Sequence, residues 1–217
     1  MHIPDGFLDP KVSTGLMGAA ALVLGYCLAK VRATVTALAP QEAFASLGKG
    51  LSNFKRVLTS AGRQKLYLMG LIGALVYFAQ LFDFPVGFGA TGHLLGGALA
   101  AIVLGPWAGT LAMSAVLLIQ AVLLGDGGIM ALGANIVTMA LVGSFLSYYI
   151  FFFLKQHLPN WLTIMITAWS SVFLSALAYS IVAGWRGANE ILYAHVVVGL
   201  AEALLTLVIV KLIKDQR

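Results

Sequence analysis

Residues 83–106 read DFPVGFGATGHLLGGALAAIVLGP. The apolar run inside this stretch, 93–104, holds twelve residues before Gly105-Pro106 stops it. At 1.5 Å per residue, a helix of that length reaches roughly 18 Å, against a bilayer hydrocarbon core of about 30 Å. The preceding residues, 83–92, are rich in Gly and have no helical period. Irregular backbone at membrane depth must be buried in protein or line a wet cavity. The stretch therefore predicts an outer loop that dips into a helix bundle and delivers His93 to its interior.

The sequence on either side supplies that bundle. Hydrophobic residues make up 60% of the 217 residues, charged residues only 10%, and the mean hydropathy is +0.95. A soluble domain carries about a quarter charged residues, so the bilayer has to be the solvent of this chain. Apolar runs predict spans at 12–31, 66–82, 93–104, 107–124, 130–154, 161–183 and 190–213. The expectation is an all-α membrane protein of about seven transmembrane helices, a single integral membrane domain over 1–217. No signal-type charge pattern precedes the first run, so the opening residues read as part of the working protein.

Lys and Arg orient it. With the N-terminus outside and the C-terminus cytoplasmic, eleven fall on the inner side and only Lys11 and Arg186 outside, as the positive-inside rule requires. The net charge of +5 is thus membrane topology and gives no reason to expect nucleic acid as a partner. Within the basic cytoplasmic loop, about 32–65, Phe44, Leu47, Leu51, Phe54 and Leu58 recur at three- and four-residue spacing. They predict an amphipathic helix lying on membrane lipid or docking a partner. The single Cys27 excludes disulfides within the chain and a cysteine-cluster metal site.

The chain opens MHIPDGFL. An X-His start offers one cation three nitrogens: the terminal amine, the deprotonated His2 amide and the His2 Nδ1. Five- and six-membered chelate rings hold them nearly in a plane. Pro4 stiffens the arm, 1–10, and Asp5-Gly6 is turn chemistry. His93 alone reads first as a histidine bonded to a carbonyl near a helix start. Added to the arm, it completes four planar nitrogens, a geometry that points to Ni(II) or Cu(II), with Co(II) also compatible. One objection stands: a helix beginning at His93 turns its positive end toward the cation.

MHIPDGFL, GATGHLLGGALAAIVLGPWAG (89–109) and LLGDGGIMALGANIVTMALVG (123–143) resemble the cobalt/nickel substrate-binding subunits of energy-coupling-factor transporters, the CbiM/NikM family. The resemblance covers nearly the whole chain. It implies metal ligands at Met1, His2 and His93 and a cargo of Co(II), with Ni(II) the alternative. It also implies a transmembrane coupling subunit, cytoplasmic ATPase subunits, a small accessory membrane subunit and a place in the bacterial or archaeal cytoplasmic membrane. The basic stretch 40–65 is longer than the family pattern, and no fused accessory helices follow the last span.

Other polar residues fill supporting roles. Asp5, Thr91, Asn135 and Asp126 are candidates to hold the ligands or offset the cation's charge, with Asn135 expected to bond the His93 loop. His195 and Glu202 lie seven positions apart, on one helix face. They read as partners of polar groups on neighbouring helices or as an ion relay, the latter making the chain a self-sufficient secondary transporter or channel. No G-x-x-x-x-G-K-[ST] loop is present, since Gly48-Lys49-Gly50 fails the spacing, and no catalytic triad or H-E-x-x-H occurs. The expectation is a transport subunit with no organic cofactor and no enzyme active site.

Overall fold

The computed structural model describes residues 1–39, 55–82, 84–87 and 90–215, with side chains except at 37–39, 55–56, 84–87, 90–91 and 214. Seven helices occur among the described residues: α1 Pro10–Val35, α2 Ser60–Gln80, α3 Gly97–Leu104, α4 Pro106–Leu124, α5 Leu132–Leu154, α6 Asn160–Val182 and α7 Ala188–Asp215. Five of these, all but α2 and α3, are long and apolar enough to cross a membrane. Their outward faces carry large apolar side chains such as Leu22, Leu123, Phe153 and Leu204, each more than 45% exposed, as a lipid solvent requires.

The short third helix is the centre of the packing. α3 has eight residues, about 12 Å of helix, and it begins at Gly97 rather than at the expected position 93. It contacts α2, α4, α5, α6 and α7. Small residues make this possible. A Cβ on Gly97 would fall on the backbone of Gly143 in α5, and one on Gly109 of α4 would meet the Ala100 carbonyl at 3.0 Å. Close backbone approach of this kind is how helices associate where lipid offers no hydrophobic drive. α5 is wound with π-type hydrogen bonds over Ile136–Leu146, and α4 ends in a π turn at Gln120–Leu124.

Two features depart from an all-α chain. Phe84–Gly87 (β3) and Ala90–Gly92 (β4) pair antiparallel directly ahead of His93, so the stretch expected to be irregular carries a ladder. Thr36–Ala39 (β1) and Lys55–Leu58 (β2) form another between α1 and α2, with Thr36 opposite Leu58. The amphipathic helix expected through Leu58 is therefore corrected at its end, while 40–54 lie outside the described residues. The physical reason is local. The Thr59 N–H donates to the Val35 carbonyl at 3.0 Å while its hydroxyl caps α2 through the Gly62 N–H. This clamps the two helix ends side by side, and the flanking residues pair as strands.

Candidate metal centre

The first nine residues lie against the connection between α4 and α5. Ile3 is fully buried beside Ala131, Ala134 and Tyr179. Its N–H donates to Asn135 Oδ1 at 2.8 Å, and its carbonyl accepts from Asn135 Nδ2 at 3.1 Å and from the Gly128 N–H at 2.9 Å. Asp5 accepts the N–H groups of Ile129, Met130 and Ala131 at 3.2, 2.8 and 3.1 Å, placing its charge at the start of α5. Gly127 and Gly128 are small for a reason. A Cβ on Gly127 would meet Asn135 Nδ2 at 2.9 Å and His2 Cβ at 3.3 Å, and one on Gly128 would fall on the Asp5 backbone.

This docking carries the terminus into the bundle. The Met1 amine stands 3.3 Å from Nε2 of His93. His93 is 5% exposed, and its Nδ1 donates to the Leu94 carbonyl at 2.9 Å, which leaves the Nε2 lone pair facing the amine. A carbonyl on the far ring nitrogen is the usual way a protein fixes a metal-binding imidazole. Adjacent donors on an ion bound at about 2.0 Å stand roughly 2.8 Å apart in a planar site, so amine and imidazole are already close to neighbouring positions.

The His2 ring stacks on the His93 ring at 5.1 Å between centroids and 21° between planes. Its Nδ1, expected to face the cation together with the His2 amide, instead donates to Asp126 Oδ1 at 2.7 Å. Its Nε2 is buried without a hydrogen-bond partner. That bond from the imidazole holds the Asp126 carboxyl below its ordinary value, outweighing the burial that would raise it. Among the described residues, no three His, Cys, Asp or Glu side chains gather as a metal cluster. A cation held by His2 and His93 would draw its remaining donors from the main chain.

The supporting residues are distributed differently from expectation. Asn135 bonds the arm at Ile3 and not the His93 loop, because the loop at 125–131 brings the arm, rather than the hairpin, over the start of α5. Asp5 caps α5 and does not face the imidazoles. The Thr91 side chain lies outside the described residues. Glu202 accepts the N–H groups of Leu95 and Gly96, and His195 Nδ1 donates to the Ile191 carbonyl of its own helix at 2.7 Å, leaving a buried, unpartnered Nε2. Gln80 escaped sequence reading: its Nε2 donates to the Leu95 carbonyl at 2.6 Å. An amide at the end of an apolar run was the available signal.

A bundle of apolar helices with a buried histidine directly after a hairpin and an N-terminal arm folded against it defines an integral membrane protein with nitrogen donors gathered inside it. The family model for the cobalt uptake substrate-specific transmembrane region, CbiM, matches residues 2–217, and the chain belongs to that family. A relative from Archaeoglobus fulgidus, provisionally named a fused nickel transport protein NikMN, is 33% identical over 82% of this chain and 50% of its own length. The cobalt transport protein CbiM of Acetohalobium arabaticum is 37% identical over 54% of this chain and 47% of its own. The chain thus spans about half the length of these two relatives. The crystal structure of a truncated transition metal transporter superposes with a TM-score of 0.79 at 28% identity, covering 100% of both chains.

Proposed function

We propose that the chain is the substrate-binding membrane subunit of an ATP-driven importer of Co(II) or Ni(II), with Co(II) the first cargo to test. The observation that carries this reading is the Met1 amine 3.3 Å from His93 Nε2, with the His2 ring stacked alongside. On loading, His2 Nδ1 leaves Asp126 and the His2 imidazole keeps its proton at Nε2 instead, the His2 amide gives its proton to solvent, and both nitrogens join the amine and His93 Nε2 around the ion. Four nitrogens suit these metals better than Mg(II) or Ca(II), which take oxygen ligands.

The reading extends to the whole chain. It is one membrane domain with an arm over 1–10 and a basic cytoplasmic loop over about 32–65. The N-terminus lies outside and the C-terminus in the cytoplasm of a bacterial or archaeal cell. α3 and the β3–β4 hairpin together make the third pass, the hairpin dipping from outside and the half-helix completing the crossing. Energy comes from cytoplasmic ATPase subunits through a transmembrane coupling subunit, with a small accessory membrane subunit. A relay through His195 and Glu202 has less support, since both Glu202 oxygens already accept backbone N–H groups.

The test is Co(II) and Ni(II) binding by the purified chain with its native Met1, beside a form carrying one extra N-terminal residue. The extension leaves His2, His93 and the helices in place and moves only the amine. Binding of both metals should collapse in the extended form. Equal binding by the two forms would exclude the amine as a ligand.

A further inference from the structure

Glu202 sits on α7, is 2% exposed, and has both carboxylate oxygens committed to one short piece of backbone. Oε2 accepts the Leu95 N–H at 2.9 Å and Oε1 accepts the Gly96 N–H at 2.6 Å. From the opposite side, Gln80 of α2 donates to the Leu95 carbonyl at 2.6 Å. The residues that follow His93 are therefore gripped by two helices that are distant in sequence. A buried carboxylate is costly unless it is well hydrogen-bonded, and two backbone N–H donors offset part of that cost.

The grip also replaces a missing cap. Gly96 precedes α3 with φ +76° and has no side chain to cap it. It could not gain one, since a Cβ there would approach Val76 Cγ2 to 2.5 Å. A carboxylate supplied by another helix does the work instead. Its charge lies at the end of α3 that carries the positive pole, the pole that would otherwise repel a cation near His93.

We propose that Glu202 is a positioning residue for the cargo: it fixes His93 through the two peptide groups that follow it and offsets the α3 dipole beside the ion. This rests on Met1, His2 and His93 being the ligands. It gives α7 a direct mechanical hold on a metal ligand, so that displacement of α7 shifts His93.

The test is E202Q in the full chain, with Ni(II) alone as probe. A glutamine offers one acceptor oxygen, and its amide N–H groups oppose the second peptide donor. The expected result is a Kd about tenfold or more weaker, together with a shifted visible absorption band of bound Ni(II), because His93 is displaced in the ligand field. A purely structural cap would lower the melting temperature while the folded fraction bound Ni(II) with the native Kd and band. That result overturns the proposal. Gln80→Leu loosens the same peptide without removing charge and should weaken Ni(II) binding about fivefold; native affinity in this folded variant also overturns it. His93→Ala, run alongside, separates the two readings. If it binds Ni(II) like the native chain, the ligand assignment itself fails, and the role of Glu202 with it.

Discussion

Asn135 holds the peptide groups of Ile3 from both sides, accepting its N–H at 2.8 Å and donating to its carbonyl at 3.1 Å. The carbonyl has a second donor in Gly128, but the N–H has only Asn135 among the hydrogen bonds described. Asn135→Leu leaves that buried N–H unsatisfied, at a cost of about 1–3 kcal/mol. Because the loss falls on the arm, Ni(II) affinity should drop about tenfold or more while helix content by circular dichroism stays native. Unchanged affinity would show that the arm is held elsewhere.

Gly128→Ala attacks the same docking from the other side. The added methyl falls on the Asp5 carboxylate and on its backbone N, and that carboxylate is already held by three N–H bonds. Overpacking of this kind costs about 1–3 kcal/mol. The arm should lift, with a large loss of metal binding and faster proteolytic removal of the first residues. Native binding in this variant would contradict the close approach.

Metal binding should be pH-dependent with a definite sign. The amine and both imidazoles coordinate only when neutral, so protons compete with the ion and falling pH weakens binding across the near-neutral range. Asp126 is held below the usual carboxylate value, so it stays ionised through this range and adds no step of its own. Isothermal titration between about pH 7.5 and 5.5 tests this. A flat profile contradicts nitrogen ligation.

Topology can be read with single cysteines. Cys27 is fully buried and can be replaced by serine. Asn189→Cys, near the start of α7, should react with a membrane-impermeant maleimide in intact cells. Gln156→Cys, between α5 and α6, should react only after permeabilisation. The opposite pattern would invert the assignment drawn from Lys and Arg.

Much of this was legible in the sequence, for identifiable reasons. The apolar runs gave the helices because lipid imposes one dominant constraint. The shortness of 93–104 marked the short α3 and the buried His93 ahead of it because length is a direct geometric quantity. The boundaries were less legible. α2 starts at Ser60, well before the apolar run at 66, since Thr59 caps it while Arg63 and Lys65 mask the pattern. Pairing partners were not legible at all. That Asn135 meets Ile3, or Glu202 meets Gly96, depends on which helices become neighbours, and periodicity does not encode that. The objection drawn from a helix start at His93 changes for the same reason, because α3 begins at Gly97 and the carboxylate bonded ahead of it comes from α7.

The grip of Glu202 on the peptides after His93 also has a consequence for biosynthesis. The eight-residue α3 is too short to be inserted stably on its own as it leaves the ribosome. The helix that secures it, α7, is translated well after it. Membrane insertion of α1 and α4 can therefore precede any working pocket, and a chain stalled before α7 would sit in the bilayer with its histidine unplaced. The peptides after His93 can take up their bonds to Glu202 only once α7 has joined the helices that precede it.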